Sequence, residues 1–438
     1  MDLNRFEEKN KAKFPPWWLS SLVWAIAAVF YLSGFYQRVS PAVMTDELMR
    51  SFHISARALG NLSGFYFYAY VAMQIPTGVL VDSWGARKLL IWGSISAAAG
   101  TLLFGSAGSF GLACLGRAII GGATAVGWVV LLKLSTHWFP GRRFAMLSGL
   151  GLFFGNIGAL AAQVPLRLLI DHFGWRGVVL GSAAIVLSVG LLAFLFVKDD
   201  PSDTGFESYA PSTLRRPDHT RSMHLLAGFT RIFAYRNTWL IFFAQGAMVG
   251  SVLAFTGLWG APFLKSRFGL QSTRAALVCS VMIICWAVAS PICGALSDRI
   301  GRRKPIHLSG CVIATIGWIL LFYVRGMPFG MFVVLAALTS GACGAVVVGF
   351  AYTKESVPVR YLGTISGATN IGNMIGPMLL QPGIGWILDK EWTGAISNGV
   401  RVYGIPDFQT AFLLVIGWSV FACVLLSFTR ETYCKQAA

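Results

Sequence analysis

The sequence predicts an all-α membrane protein with twelve transmembrane helices arranged as two pseudo-symmetric six-helix bundles. Of the 438 residues, 55% are hydrophobic and only 12% are charged, which is too apolar for a soluble protein. Apolar runs recur at the length of roughly 20 residues that crosses a bilayer. In addition, motifs of the first half return in the second half at a nearly constant spacing. A duplicated chain with many membrane spans explains all three observations.

One long polar interval divides the twelve apolar runs into two sets of six. This interval is rich in proline and charge, as expected of a linker. We therefore predict an N-terminal bundle over residues 1–197, a cytoplasmic linker over 198–237 and a C-terminal bundle over 238–438. The predicted spans, each good to a few residues, are 17–40, 58–81, 87–108, 112–138, 145–169, 177–197, 238–263, 274–297, 305–324, 329–352, 362–387 and 409–428.

The repeat is clearest in two loops, GVLVDSWGARK at 78–88 and GALSDRIGRRK at 294–304, which are 216 residues apart. Each loop places an aspartate at the end of one helix and cations at the start of the next, where both oppose the helix dipoles. We therefore expect these charges to have other partners and to form a breakable latch. Glycine supplies the positive φ of the short reversal. The predicted gating residues are Gly78, Asp82, Gly85, Arg87, Gly294, Asp298, Arg302 and Arg303.

A second repeat relates the fifth and eleventh spans. Seven residues between Pro140 and Asp171 recur between Pro358 and Asp389 at an offset of 218. Many of them are polar in an apolar background, so shared composition does not explain the match. Two bundles related by an axis along the membrane normal are expected, with a site between them near the midplane.

The net charge of +17 follows from membrane topology. Loops on the side of the N-terminus carry about 22 Lys and Arg and the other loops about 10, as the positive-inside rule expects. We therefore place both termini of this multi-pass protein in the cytoplasm. Compact outer loops and a single sequon, at 61–63, close to the membrane, favour the inner membrane of a bacterium. The cations are dispersed among short loops, which argues against nucleic-acid binding.

The paired loops, together with Arg117 and the stretch WFPGRR at 138–143, resemble the major facilitator superfamily over essentially the whole chain. The resemblance implies alternating access in a monomeric transporter. It also implies that helices 1, 4, 7 and 10 line the cavity, that helices 2, 5, 8 and 11 meet at the bundle interface, and that the remaining helices face lipid.

Three ionisable side chains lie within predicted spans: Arg38, Arg117 and Lys133. Each costs about 2.5 to 3.5 kcal/mol on insertion scales, so each requires a reason. Arginine offers a planar fork for a carboxylate or phosphate, and Arg38 is our candidate anchor for an anion. The alternative for Arg38, and the preferred role for Lys133, is snorkelling toward a membrane surface.

Two stretches resemble a particular branch of that superfamily. Residues 38–55 and the second span, SGFYFYAYVAMQIPTGVLVD at 63–82, are similar to anion:cation symporters and the related organophosphate transporters. This resemblance implies that Arg38 binds the acid group of the substrate. It also makes Tyr70 and Gln74 candidate substrate contacts, although an aromatic stripe also serves packing.

Other candidates come from helical spacing. Arg117, Thr124 and Trp128 share one face of the fourth span, which we expect to meet the cavity, and the resemblance implies a coupling or gating role for Arg117. The alternative for Arg117 is an interhelical anchor. Asn370 and Asn373 lie on one face of the eleventh span and either contact substrate or hold the bundles together.

The departures from the symporter pattern concern proton transfer. Gln37 and Thr124 stand where these relatives carry acidic residues, and no Asp, Glu or His lies near the middle of a span. We therefore do not expect a proton relay in the cavity. Exchange of anions, facilitated diffusion and a proton carried by the substrate all remain open.

We accordingly predict a secondary transporter of a small organic anion, a carboxylate or sugar acid, that works by alternating access. Uptake of amino acids, which are zwitterions, is the alternative. A membrane-embedded enzyme is less favoured because no nucleotide loop or nucleophile elbow is present, so we expect no catalytic residues. A transporter-like sensor is less favoured because the tails are short. Seven of the eight cysteines lie within spans without a CxxC motif, so neither a metal nor another cofactor is expected.

Overall fold

The computed structural model describes residues 14–210, 231–397 and 399–436, so part of the predicted linker lies outside the described residues. The described chain is almost entirely helical. Its twelve long helices, numbered α1 to α12 in chain order, confirm the predicted number of spans. α1 is Trp17–Val39, α2 Ala56–Trp84, α3 Ala86–Ser106 and α4 Phe110–Trp138. α5 consists of Phe144–Ala161 and the part of Val164–Phe196 before Gly174, and α6 is the part after Gly174. α7 is Arg236–Phe268, α8 Ser272–Ile300, α9 Lys304–Tyr323, α10 Phe329–Glu355, α11 Leu362–Glu391 and α12 Ile405–Ser427.

Ten of the helical segments are long and apolar enough to cross a membrane. α2 and α11 are as long, with 29 and 30 residues, but they are less apolar because they contain glycine, proline, tyrosine and amides. Both helices pack against each other between the bundles, where small residues permit close approach. Their weaker hydropathy therefore reflects their position at the interface.

Several helices are interrupted at defined points. Gly174 has φ 72° and ψ 154°, which is not helical, and it separates α5 from α6. α7 contains a π-helical segment at Phe255–Trp259, while α1 ends in a 3₁₀ turn at Ser40–Val43. A short helix, Thr45–Phe52, links this turn to α2. A two-stranded antiparallel hairpin, Ile396–Ser397 with Val400–Arg401, precedes α12.

The two ends of the protein differ. We call the end at which α1 begins and α12 ends the termini face, and the opposite end the distal face. Near the distal face, α2 and α11 approach at backbone distance. A Cβ atom on Gly60 would lie 2.6 Å from the carbonyl oxygen of Gln381, and one on Gly385 would lie 2.3 Å from that of Ala56. Any larger side chain at these glycines would separate the helices.

Polar contacts also close the distal face. The carboxylate of Asp389, at the end of α11, accepts hydrogen bonds from the backbone N–H groups of Ala56 and Arg57, at 3.1 and 3.0 Å. These groups open α2, so an acid of one bundle caps a helix of the other, and the helix dipole favours that arrangement. Lys265 forms a further ion pair between the bundles with Asp46, at 2.7 Å.

The termini face is open between the bundles. Among the described residues, no hydrogen bond or ion pair joins the two bundles between this face and the pair formed by Gln74 and Asn370. Gly363 and Gly367, near the start of α11, have open space where a side chain would be. The structure therefore represents a state with access from the termini face.

The glycine contacts yield a test of this closure. We expect Gly385→Ala to push α2 away from α11 and to open the distal face, because the new methyl group would overlap the Ala56 carbonyl. Spin labels on cysteines introduced by Arg50→Cys and Glu391→Cys, with the native cysteines replaced by serine, should report a longer distance. Gly417→Ala on α12, where the site is open, is the matched control. An unchanged distance in Gly385→Ala would contradict the assignment of this contact as the distal seal.

Candidate functional site

Arg38 lies in the last turn of α1 and is 4% exposed. Its guanidinium is surrounded by three aromatic rings, with distances to the ring centres of 4.4 Å for Phe35, 4.9 Å for Tyr70 and 5.7 Å for Tyr66. Its Nε atom is buried without a hydrogen-bond partner. Burial among aromatic faces stabilises a cation, and the Nε–H group remains free to bind an acceptor.

Arg117 lies on α4 beside the same aromatic cluster and is 1% exposed. Its guanidinium is 5.0 Å from the centre of the Tyr66 ring and donates one hydrogen bond, of 2.6 Å, to the carbonyl oxygen of Gln37. Its Nε and Nη2 atoms are buried without partners. Arg117 thus combines an anchor to α1 with two free donors.

Neither arginine has a carboxylate partner. Among the described residues, no Asp or Glu lies within ion-pair distance of Arg38 or Arg117. Because both guanidiniums are close to the Tyr66 ring, their charges are no more than about 11 Å apart and repel by at least roughly 1.5 kcal/mol at an effective dielectric constant of 20. A bound anion would relieve this repulsion and pair the free donors.

Thr124 and Trp128 have different surroundings. The Thr124 hydroxyl lies 2.9 Å from the hydroxyl of Tyr66, which also donates to the carbonyl oxygen of Gly34 at 3.1 Å. The structure thus places Thr124 as a support that fixes the Tyr66 ring between the two arginines. Trp128 is partly exposed and packs on Tyr31, with 5.3 Å between ring centres.

An amide cluster joins the bundles on the termini side of the arginines. Asn370 of α11 donates a 2.9 Å hydrogen bond to Gln74 of α2, so the structure brings together two candidates from opposite bundles. The nitrogen of Gln74 and the oxygen of Asn373 are both buried without partners. The cluster therefore retains one free donor and one free acceptor.

The charges of the first repeated loop find partners inside their own bundle. Asp82 lies 3.6 Å from Lys133, whose ammonium also donates to the carbonyl oxygen of Val81. The backbone N–H of Arg87 donates to Asp199, after α6, at 2.8 Å. Gly85 has the expected positive φ, 88°. Lys133 thus reaches the loop at the termini face, where it pairs with Asp82, and does not point to the arginine cluster.

The second loop repeats this arrangement. Arg303 forms ion pairs of 2.5 Å with Asp298 and 2.7 Å with Glu355. Burial lowers the pKa of Arg303, but the hydrogen bonds to these two carboxylates outweigh burial and raise it. Glu431, after α12, accepts from the backbone N–H groups of Arg303 and Lys304, as Asp199 does for α3. Arg302 packs on the ring of Tyr433 at 5.8 Å. Gly78 and Gly294 lie within α2 and α8, one turn before the loop aspartates.

Sequence reasoning missed some of the polar and aromatic groups. Phe35 completes the ring around Arg38 and looked like an ordinary apolar residue. His307 and Gln245 are both fully buried without hydrogen-bond partners, whereas the sequence placed His307 only near the end of a span. The contacts of Phe35 and the burial of His307 and Gln245 depend on the direction of each side chain, which helical spacing alone does not predict.

Comparisons with known proteins agree with this architecture. Among curated proteins, the chain is 23% identical over 412 residues to the probable sulfoacetate transporter SauU of Cupriavidus necator, covering 90% of this chain and 91% of the relative. It is 25% identical over 427 residues to a putative tartrate transporter of Agrobacterium vitis, covering 89% and 88%. It is 21% identical over 424 residues to the probable galactarate/D-glucarate transporter GarP of Escherichia coli K12, covering 89% and 92%.

Solved structures show the same fold. A bacterial homologue of the human lysosomal transporter Spinster, in its inward-facing and unoccupied conformation, superposes with a TM-score of 0.74 at 18% identity, covering 94% of this chain and 97% of that one. The D-xylose-proton symporter superposes with a TM-score of 0.71 at 15% identity, covering 95% and 99%. The family model of the Major Facilitator Superfamily matches residues 22–265 and 247–433. This chain, which is a membrane transporter and not an enzyme, therefore belongs to the Major Facilitator Superfamily.

Proposed function

We propose that this transporter carries a small organic anion, a carboxylate or sugar acid, whose acid group is bound at Arg38. The observation that carries the proposal is the pair of buried guanidiniums, Arg38 and Arg117, that share the Tyr66 ring and lack a carboxylate partner among the described residues. A buried, unpaired charge is costly. An anionic cargo supplies the missing charge, whereas a cationic cargo would add to the repulsion.

The amide cluster supports a cargo with hydroxyl groups. Gln74 and Asn373 offer a free donor and a free acceptor, and a hydroxyl both donates and accepts. The names of the relatives point the same way, since tartrate and galactarate or glucarate are hydroxylated dicarboxylates and sulfoacetate carries two acid groups. A dianion would also match two cations better than a monoanion does.

Amino-acid uptake remains the second candidate. The free acceptor oxygen of Asn373 is suited to an ammonium group as well as to a hydroxyl. However, an ammonium group in the cavity would approach two uncompensated arginines at a cost that no described carboxylate offsets. The geometry therefore favours the anion.

We further propose that the termini face is cytoplasmic, in the inner membrane of a bacterium, and that the protein acts as a monomer. The excess of Lys and Arg in the loops of that face supports this orientation. In this orientation the structure is inward-open. The two repeated loops would then latch the bundles together when the inner side closes, and their pairing within single bundles is what an open latch requires.

Substrate binding tests the role of Arg38. Proteoliposome uptake with tartrate, glucarate, sulfoacetate, hexose phosphate, alanine and an organic cation would establish the class of cargo. We expect Arg38→Ala to weaken binding of the best anion roughly 10- to 100-fold, because a charged hydrogen bond contributes about 1.5 to 3 kcal/mol. Arg38→Lys keeps the charge without the fork and should be intermediate.

Arg50→Ala removes an exposed cation at the distal face and is the matched control for net charge. If Arg38→Ala stays within twofold of the wild type, Arg38 is not the anchor. If alanine or the cation is preferred over every acid, the proposed class of cargo is wrong.

The latch makes a separate prediction about the conformational equilibrium. We expect Asp82→Asn to increase the inward-open population, because the inward-closed state loses a charged contact that the inward-open state does not use between bundles. Spin labels at Arg142→Cys and Val359→Cys, one on each bundle at the termini face, would report the shift. Asp203→Asn, in the linker, is the control. Equal distance distributions in Asp82→Asn and the wild type would exclude a latch role for Asp82.

A further inference from the structure

A group of unpaired polar atoms lies inside the second bundle, where α7, α9 and α10 meet. Gln245 of α7 and His307 of α9 are both 0% exposed. The oxygen and the nitrogen of the Gln245 amide, and both ring nitrogens of His307, have no hydrogen-bond partner. Buried polar groups in native proteins are nearly always paired, so four unpaired atoms in one place require an explanation.

The two side chains converge on one glycine. A Cβ atom on Gly349 of α10 would lie 2.2 Å from the Gln245 nitrogen and 2.9 Å from Cε1 of His307. The amide and the imidazole therefore share a space that exists only because position 349 has no side chain. They are neighbours, yet no hydrogen bond joins them in this conformation.

The fold itself does not require this polar pair. At the repeat offset of 216, the first bundle has Val29 in the place of Gln245 and Ile91 in the place of His307. The polar pair is thus not repeated at these positions of the sister bundle. An apolar pair would avoid the cost of desolvating two polar groups, so the polar pair indicates a ligand.

We infer that His307 is a proton-binding site, with Gln245 as its hydrogen-bond partner, and that protonation of His307 favours closure of the termini face. A neutral imidazole has one donor and one acceptor nitrogen. When a proton binds the acceptor nitrogen, both nitrogens donate, and the amide oxygen of Gln245 is the adjacent free acceptor. An exposed histidine changes charge in the physiological range of pH, and burial in the present state opposes the charged form of His307.

The charged and titratable groups on the surrounding elements are engaged elsewhere. Asp298 of α8 and Glu355 of α10 pair with Arg303. Glu431, after α12, caps the start of α9, and the ammonium of Lys304 donates to carbonyl oxygens at the end of α12. The remaining groups are thiols and a phenol: Cys311 contacts Cys423, Cys343 lies near Ser251, and the Tyr352 hydroxyl donates to the carbonyl oxygen of Arg430.

This position connects the proton to the transport cycle. α7 and α10 belong to the second bundle's cavity-lining set in the family fold, and a bond between Gln245 and His307 would tie α7 to α9. In the proposed cycle, the pair is unbonded in the present state, which is open to the termini face, and bonded in the alternative state. A proton would shift the population toward that state. The inference rests on the proposed function only in assuming that the bundles alternate.

The test uses the spin-label pair Arg142→Cys and Val359→Cys in proteoliposomes without cargo, between pH 8 and pH 5. We expect the ratio of closed to open populations at the termini face to rise at least threefold as the pH falls. His307→Gln should reduce this response to less than 1.5-fold. With His307 intact, Gln245→Leu should move the midpoint of the response to lower pH, which decides the matter if His307→Gln does not fold.

His172→Gln, at an exposed histidine of the distal face, should keep the full response. A wild-type protein without a pH response, or an equal response in His307→Gln, would overturn the inference. So would an unchanged midpoint in Gln245→Leu. Because no cargo is present, these outcomes leave the assignment of an organic anion untouched, and a failure of anion binding would leave the proton site untouched.

Discussion

Two positive charges that no described carboxylate neutralises, on Arg38 and Arg117, determine the electrostatics around the Tyr66 ring. Arg38 of α1 and Arg117 of α4 both lie against the ring of Tyr66. The Tyr66 hydroxyl is held by Thr124 and by the carbonyl oxygen of Gly34 in α1. Aromatic faces and a backbone carbonyl make the two cations tolerable without removing their charge. The two arginines thus create a region of positive potential at a fixed position, and their unpaired N–H groups could hydrogen-bond to an anion there.

The contacts that open and close the two faces are separate from these two arginines. The distal face closes by backbone contact at Gly60 and Gly385 and by the carboxylate of Asp389, which caps a helix of the opposite bundle. At the termini face, the loop charges are satisfied within single bundles. Closure at one end and release at the other therefore use different residues from the two arginines. The hydrogen bond from Asn370 to Gln74, in contrast, links the bundles at the proposed cargo site itself.

Much of the fold could be predicted from patterns in the sequence. Span length, the two repeats and the positive φ of Gly85 all depend on local sequence, and the structure confirms the twelve helices in two bundles. The site was less accessible to prediction. The charge of Arg38 was visible, but the ring of aromatic residues around it depends on rotamers and on helix rotation. Thr124 lay on the predicted face, yet its hydroxyl is committed to Tyr66. His307 lies close to the start of α9, and only tertiary packing shows that it is buried and unpaired.

The central claim is that the cavity recognises negative charge. Calorimetric titration of the purified transporter with a hydroxylated dicarboxylate and with its neutral diamide, which has nearly the same shape and hydrogen-bonding groups, tests this claim most directly. The account predicts that the dicarboxylate binds at least tenfold more tightly and that this preference is lost in Arg38→Ala. Equal affinity for the two compounds in the wild-type protein would contradict it.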